Sequence, residues 1–402
     1  MHSVEYNIMI IDERLAMNRR NFIKIAGLGV GSAALGSSLI SCADSAADYG
    51  WNGPDQSVQD IRLQVLAYAI LCPNPHNKQP WIIQLTGPAR FNLYVDPDRL
   101  LPATDPVHRQ IHIGQGTFLE TLAIAANGLG YKANIDYFPE GMYGNTELSA
   151  KPVAAIELVQ DAGIDKDPLF NHLLQRHSNK RAYDNYRLRE PELNRLRNAH
   201  QRHSDYSLTF MDSPQGKPDM VKILTRAMQI EAGNRSRDME TIKMFRFNDD
   251  EVRRFRDGFG VAQNGTEGVK KFVVETFFLD RKTVEQDPAE FGQQAIDMTR
   301  TVSESTSTFA WLSSSGNTRL DQVRIGRDYC RMNLQATRMG LAQHPMSQVL
   351  QEYDDMRELQ VEFKQRFHIA ESDTVQMLFR LGKAAPVAHG PRRLVTELIQ
   401  SV

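Results

Sequence analysis

IGQGTFLETLAIAANGLG, residues 113–130, and IGRDYCRMNLQATRMGL, residues 325–341, are two helical runs that each open on Ile-Gly and end near Gly-Leu. The pairs Ile113-Gly114 and Ile325-Gly326, and Gly128-Leu129 and Gly340-Leu341, stand 212 positions apart. A buried strand is expected after each run, over Val153–Leu158 and Val375–Leu381. Upstream, a helix over 60–71 followed by strands finds a counterpart in Glu190–His200 followed by Tyr206–Met211. One α+β unit used twice is the reading, over 60–160 and 170–402.

Within the first unit, Cys72-Pro73-Asn74-Pro75 stops the opening helix, because two prolines cannot continue it. Trp81–Leu85 and Phe91–Val95 read as strands about the turn Thr86-Gly87-Pro88, and Pro152–Val159 as a buried strand. The second unit carries an insertion over 217–305, helical at Asp219–Ala232 and Ala289–Thr301. Its Asp257-Gly258-Phe259-Gly260 and Asn264-Gly265 stretches suit either a lid over a site or plain packing decoration.

The 402 residues are 41% hydrophobic and 24% charged, which excludes disorder as an overall description. Forty-seven Lys and Arg against 49 Asp and Glu leave a net charge of −2, which argues against a general nucleic-acid binder. A mean hydropathy of −0.44 argues against a multi-span membrane protein. Three cysteines cannot form a disulfide framework.

The first 42 residues read as an export signal rather than as fold. Arg19-Arg20 precede Asn21-Phe22-Ile23-Lys24 and a mild apolar run, Ile25–Ile40, and the pattern resembles a twin-arginine (Tat) signal starting at Met17. Leu39-Ile40-Ser41-Cys42 looks like a lipobox, with Cys42 lipidated after cleavage; the plain alternative is a lone cysteine beside an ordinary cleavage site. Export to the periplasmic side with a lipid anchor is the expectation, and residues 43–59 read as a polar tether.

Three short motifs carry chemistry. Pro75-His76-Asn77-Lys78-Gln79-Pro80-Trp81 offers amides that can donate and accept together, or is a simple helix-to-strand turn. Arg176-His177-Ser178-Asn179-Lys180 combines cations with a hydroxyl, as a phosphate requires, or is a solvated basic turn. Pro391-Arg392-Arg393 is a third fragment of the same kind. His108 and His112 lack a firm third ligand and read as structural, so no metal is expected.

In this order, the motifs resemble the nitroreductase superfamily of flavoproteins, and more narrowly its Acg-like branch, in which one chain holds two tandem units as an intramolecular pseudo-dimer. The resemblance covers about 60–396. It implies that Arg176, His177, Ser178 and Lys180 hold the phosphate and pyrimidine of FMN. It implies that Pro75, His76, Asn77 and Gln79 border the flavin ring, that the loop Met346-Ser347-Gln348 approaches flavin N5, and that Arg392 and Arg393 close on the phosphate. Lys180 is the group expected to stabilise negative charge on the reduced ring.

The first unit has no Arg-x-Ser-x-Lys before Asp60, and the second no Asn-x-Gln-Pro-Trp after its first helix, so one composite FMN site per chain is expected in a monomer. The resemblance implies an FMN-dependent oxidoreductase passing hydride from an unidentified donor through N5 to a quinone- or nitro-like acceptor. The alternative is an exported FMN-binding, sequestering protein with little turnover.

Overall fold

The computed structural model describes residues 50–200, 206–277 and 279–400. The twin arginine, the apolar run and Cys42 lie outside the described residues. None of the described helices is long and apolar enough to cross a membrane.

Asp60 starts α1 (Ile61–Ala69) by accepting the Arg62 amide proton at 2.9 Å, and the prolines end it. Strands β1 (Trp81–Gly87) and β2 (Arg90–Val95) form a tight hairpin. Then come α2 (Arg109–Gly128), β3 (Tyr131–Tyr137) and β4 (Ala154–Gln160). The second unit has α3 (Glu190–His200), β5 (Tyr206–Met211), and then the insertion helices α4 (Lys217–Ala232), α5 (Arg235–Met244), α6 (Asp249–Phe255), α7 (Gly268–Phe277), α8 (Arg281–Gln286) and α9 (Pro288–Glu304). It closes with β6 (Thr308–Ser314), α10 (Arg319–Arg338), β7 (Ala342–Pro345), α11 (Arg357–Arg366) and β8 (Thr374–Gly382). The fold is α+β.

Two four-stranded antiparallel sheets have matching orders, β1-β2-β4-β3 and β5-β6-β8-β7. The insertion therefore stands where the first unit has its two-residue hairpin turn. It also explains why β6 is buried along its whole length. Leu193, Leu196, Tyr329 and Met332 pack with Ala310 and Leu312, while Met220, Ile223 and Leu224 of α4 pack with Phe309 and Trp311. β3, by contrast, alternates between half-buried and exposed positions.

The units meet along α2 and α10. A Cβ on Gly116 would lie 1.9 Å from the Val323 carbonyl oxygen, and one on Gly326 would lie 2.0 Å from that of Ile113, so only glycine permits this crossing. Buried Glu120 receives Arg327 and Arg331, each at 2.7 Å, across the seam. Arg109 donates to the Gln376 carbonyl at 3.1 Å, and its pseudo-equivalent Arg319 donates to Val107 and Glu147 carbonyls at 2.9 and 2.7 Å. The helices are each 20 residues long and start at 109 and 319, which sets the repeat at 210 rather than 212. The shared Ile-Gly dipeptide aligned Gly114 with Gly326, whereas packing aligns Gly116 with Gly326 and the left-handed Gly130 with Gly340.

Beyond β8 the chain returns to the first unit. Ile83 exchanges backbone hydrogen bonds with Leu398 and Gln400 at 2.8 and 3.0 Å, so residues 398–400 run along β1. That path lays Pro391–Arg393 against the loop after α1.

Candidate functional site

Four segments converge beside the seam: the loop 74–79, the extended stretch 176–181, the insertion loop 256–259 and the run 389–393. Pro75 opens a single 3₁₀ turn, and His76, Asn77 and Gln79 have φ of 49°, 51° and 53°. Left-handed backbone costs a non-glycine residue about 1–2 kcal/mol, so the surroundings must impose it. They do. Asn77 Nδ2 donates to the carbonyls of Pro391 at 2.8 Å and Gly258 at 2.9 Å, and Oδ1 accepts from Arg392 Nη1 at 2.6 Å. Gln79, wholly buried, donates through Nε2 to the Arg256 carbonyl at 2.8 Å and accepts the Arg393 amide at Oε1 at 2.8 Å. Both side-chain amides thus join segments of the protein, where the sequence suggested the edge of a heterocycle.

Arg176 and Arg392 are each 4% exposed. They converge on the Leu71 carbonyl, at 3.1 Å from Arg176 Nε and 3.3 Å from Arg392 Nη2, and Arg176 Nη1 reaches Asn333 Oδ1 at 3.1 Å. Neither has a carboxylate partner among the described residues, and Arg392 Nε is buried without a hydrogen-bond partner. Burial lowers the pKa of both, and the charge of Arg176 adds to the effect at Arg392. Guanidinium stays protonated, so the physical meaning is a destabilised pair of cations that an anion would relieve. Arg393 differs: Asp96 and Glu397 lie 3.7 and 3.8 Å away.

Ser178 is half-buried and makes no side-chain hydrogen bond to the described residues. His177 Nδ1 contacts the Gln175 carbonyl at 3.0 Å. Lys180 Nζ lies 3.8 Å from the Phe259 ring centroid, has no carboxylate partner among the described residues, and is pushed by burial to a pKa of about 8. His76 meets the same ring edge-on at 5.8 Å, its Nδ1 buried and unpartnered. Burial, then the charges of Lys180 and Lys78, push its pKa to about 4.

The loop 256–259 is pinned. Asp257 accepts from Arg99 at 2.9 Å and pairs with Arg246, whose own amide donates to the Phe259 carbonyl at 2.7 Å. The insertion therefore forms part of the site wall, the first of the two roles its glycine-rich stretches suit. Met346, Ser347 and Gln348 are not hydrogen-bonded to the other segments among the described residues. Met346 is buried with Met211 and Met220 and its amide donates to the Leu378 carbonyl. The contact from that region comes instead from β7 and β8: the Gln343 carbonyl accepts the Asn179 amide at 3.1 Å, and Arg380 donates to His344 Nδ1 at 3.1 Å and to the Arg181 carbonyl at 2.7 Å. Phe259, His344, Arg380 and Asn179 were not singled out from sequence. Only the Gly-Phe-Gly context of Phe259 and the place of Asn179 inside the basic motif hinted at them. His112, used by the His108 carbonyl at 2.6 Å and Tyr143 Oη at 2.7 Å, lies in the first turn of α2.

No family model matches the chain. A stretch of 76 residues is 34% identical to a Mycobacterium tuberculosis H37Rv protein provisionally named NAD(P)H nitroreductase Rv3131, covering 19% of this chain and 22% of that protein. Another of 87 residues is 33% identical to the provisionally named NAD(P)H nitroreductase acg of the same strain, covering 21% and 26%. The chain thus matches about a quarter of the length of these relatives. Among solved structures, the FMN-dependent nitroreductase NfnB of Mycobacterium smegmatis in complex with NADPH is 13% identical at a TM-score of 0.36, over 57% of this chain and 95% of that one. A provisionally named nitroreductase of Anabaena variabilis is 12% identical at 0.38, over 78% and 82%. At these TM-scores the structural likenesses carry no argument.

Proposed function

We propose that the four-segment corner holds one FMN per chain and that the protein is an FMN-dependent oxidoreductase of nitroreductase type. The observation that carries this reading is the pair of buried guanidiniums, Arg176 and Arg392, with no carboxylate partner among the described residues and an orphaned Nε. That donor set fits a dianionic phosphate. Bound there, FMN would supply hydride transfer through N5 between a donor and a quinone- or nitro-like acceptor.

In this reading Arg176, Arg392 and the Ser178 hydroxyl hold the phosphate, Lys180 lies toward the ring with a cation free to offset negative charge, and His76 and Phe259 exclude water. Arg393, paired with Asp96 and Glu397, orients the C-terminal run rather than the ligand. The units 60–160 and 170–402 build the site together, and the first 42 residues serve Tat export and lipid anchoring at Cys42 on the periplasmic side. Flavin extracted from the purified protein should be FMN at about one per chain. Two per chain, FAD, or no flavin after reconstitution would refute the composite site.

The second reading, an exported FMN-sequestering protein, is favoured by Phe259 lying directly on Lys180 and by the anchoring of its loop. Anaerobic mixing of the FMN-loaded protein with NADH, NADPH or a quinol separates the two. Bleaching of the flavin followed by reoxidation with a quinone supports the oxidoreductase, and unchanged colour with every donor supports sequestration.

A further inference from the structure

The segment 43–59 reads as a tether, yet Gly50 and Trp51 are packed onto the site. Trp51 is 6% exposed, and its Nε1 donates to the Gly390 carbonyl at 2.8 Å. Its ring stacks on His389 with centroids 3.9 Å apart and planes 8° from parallel. Arg392 and Arg176 both lie over that ring, with Cζ 5.0 and 5.5 Å from its centroid. The approach is close enough to require Gly50, whose φ is +91° and where a Cβ would lie 2.8 Å from Arg392 Cβ. Gln263 Nε2 holds the His389 carbonyl at 3.1 Å, so the stack is fastened from the insertion as well.

Two like-charged guanidiniums on one carbonyl repel each other, and no acid among the described residues offsets them. The π-face of a tryptophan does so in part, and most effectively where water is excluded. A ring fixed by a stack and a hydrogen bond also holds the planes of both forks before any ligand arrives, and such preorganisation is a source of affinity.

We infer that Trp51 is a further wall of the phosphate pocket: it clamps Arg176 and Arg392 in their anion-binding geometry and makes cofactor retention depend on the segment that joins the fold to the export signal. Trp51 acts here as a positioning residue. The inference rests on the anion-site reading of the two arginines.

The test uses the full chain as wild type, Trp51→Ala and Trp51→Phe, each stripped of flavin and titrated with FMN and with riboflavin, which has the ring but no phosphate. Trp51→Ala should weaken FMN about tenfold, the effect of a desolvated cation–π contact, leave riboflavin unchanged, and be largely rescued in Trp51→Phe. Gly50→Ala, which drives the segment off Arg392 without deleting the indole, should show the same selective loss if Trp51→Ala does not fold. Equal weakening of FMN and riboflavin, no weakening, or tighter FMN binding would each overturn the inference. Should wild type bind no flavin, the proposed function falls but the clamp is still read with inorganic phosphate. A phosphate-dependent rise in melting temperature in wild type that is lost in Trp51→Ala supports it, and equal behaviour of the two overturns it.

Discussion

Replacing Asn77 with aspartate tests whether Arg392 is an open charge. Asn77 Oδ1 already accepts from Arg392 Nη1 at 2.6 Å, so a carboxylate oxygen can take its place without a shift in the backbone. Two donor contacts disappear, to Pro391 and Gly258, each worth about 0.5–1.5 kcal/mol net. One contact from a cation to a neutral amide oxygen becomes an ion pair, which gains only part of what a hydrogen bond to a charged group is worth, about 1.5–3 kcal/mol. The terms offset only in part, because the second carboxylate oxygen meets the Pro391 and Gly258 carbonyl oxygens that Nδ2 served, while aspartate tolerates the φ of +51° as asparagine does. Stability should therefore fall by about 2–4 kcal/mol. Anion binding should fall as well, because the new carboxylate pairs the guanidinium internally. Loss of one charge-assisted phosphate contact is worth about 1.5–3 kcal/mol, or roughly tenfold to a hundredfold in FMN affinity. Asn77→Ala is the control: it removes all three hydrogen bonds and leaves alanine in the left-handed region, costing roughly 3–6 kcal/mol of stability while freeing the charge of Arg392. Urea unfolding of the flavin-free chain and fluorescence titration with FMN give both numbers. An aspartate variant that binds FMN as tightly as wild type would refute the claim that Arg392 serves a ligand anion.

Further outcomes follow from other parts of the structure. Gly116→Ala places a Cβ 1.9 Å from the Val323 carbonyl and should destabilise the chain by about 3 kcal/mol or more despite the better helix propensity of alanine; a change within about 0.5 kcal/mol in urea melts would show the seam to be loose. Burial lowers the Lys180 pKa from 10.5 to about 8, so the unfolded chain binds more protons between those values and flavin-free stability should rise with pH across that window; Lys180→Met should flatten the rise, and an unaltered slope counts against the buried ammonium. Phe259→Ala should leave FMN bound but speed its reduction by dithionite in stopped flow, and equal rates would mean the insertion loop gates nothing. Arg19→Lys with Arg20→Lys should hold the protein in the cytoplasm and Cys42→Ala should release it from membranes, as fractionation would report; a Cys42→Ala protein that still pellets removes the lipid anchor.

What could be read in advance was whatever a local period or a stop signal encodes. Glu190–His200 and Tyr206–Met211 have their expected bounds, because each carries a complete apolar pattern between breakers. β3 escaped notice because Lys132, Asn134 and Asp136 alternate with residues that are only half-buried, leaving a weak hydrophobic signal. β6 was lost behind the insertion that precedes it. At the site, Arg176 and Arg392 stood out because a phosphate would call for cations, and the structure buries both in one corner. The partners that hold Asn77 and Gln79 did not, since they are backbone carbonyls, an amide and the Arg392 guanidinium, brought from 177 to 315 positions away by tertiary structure. Trp51 was hidden by its neighbours: a polar, small-residue stretch reads as linker, and a single aromatic has no period.

A symmetric seam need not carry symmetric sites. Across α2 and α10 the repeat is kept where packing demands it, at Gly116 with Gly326 and Arg109 with Arg319, because two helices can cross this closely only when both remove side chains at the contact. In a dimer of identical units the segment leading into the first helix of each would serve its own site, by symmetry. Here the segment before α1 supplies Trp51 and the segment before α3 supplies Arg176, and the two meet 5.5 Å apart in one corner. The insertion breaks symmetry in the same direction, since it leaves the β5–β6 hairpin and places Gly258 on Asn77. Three departures from the repeat therefore converge on a single location. Joining the units in one chain is what permits this: each copy of a segment can diverge by itself, and both can be recruited to one anion pocket. This is the physical basis for expecting one bound phosphate per chain.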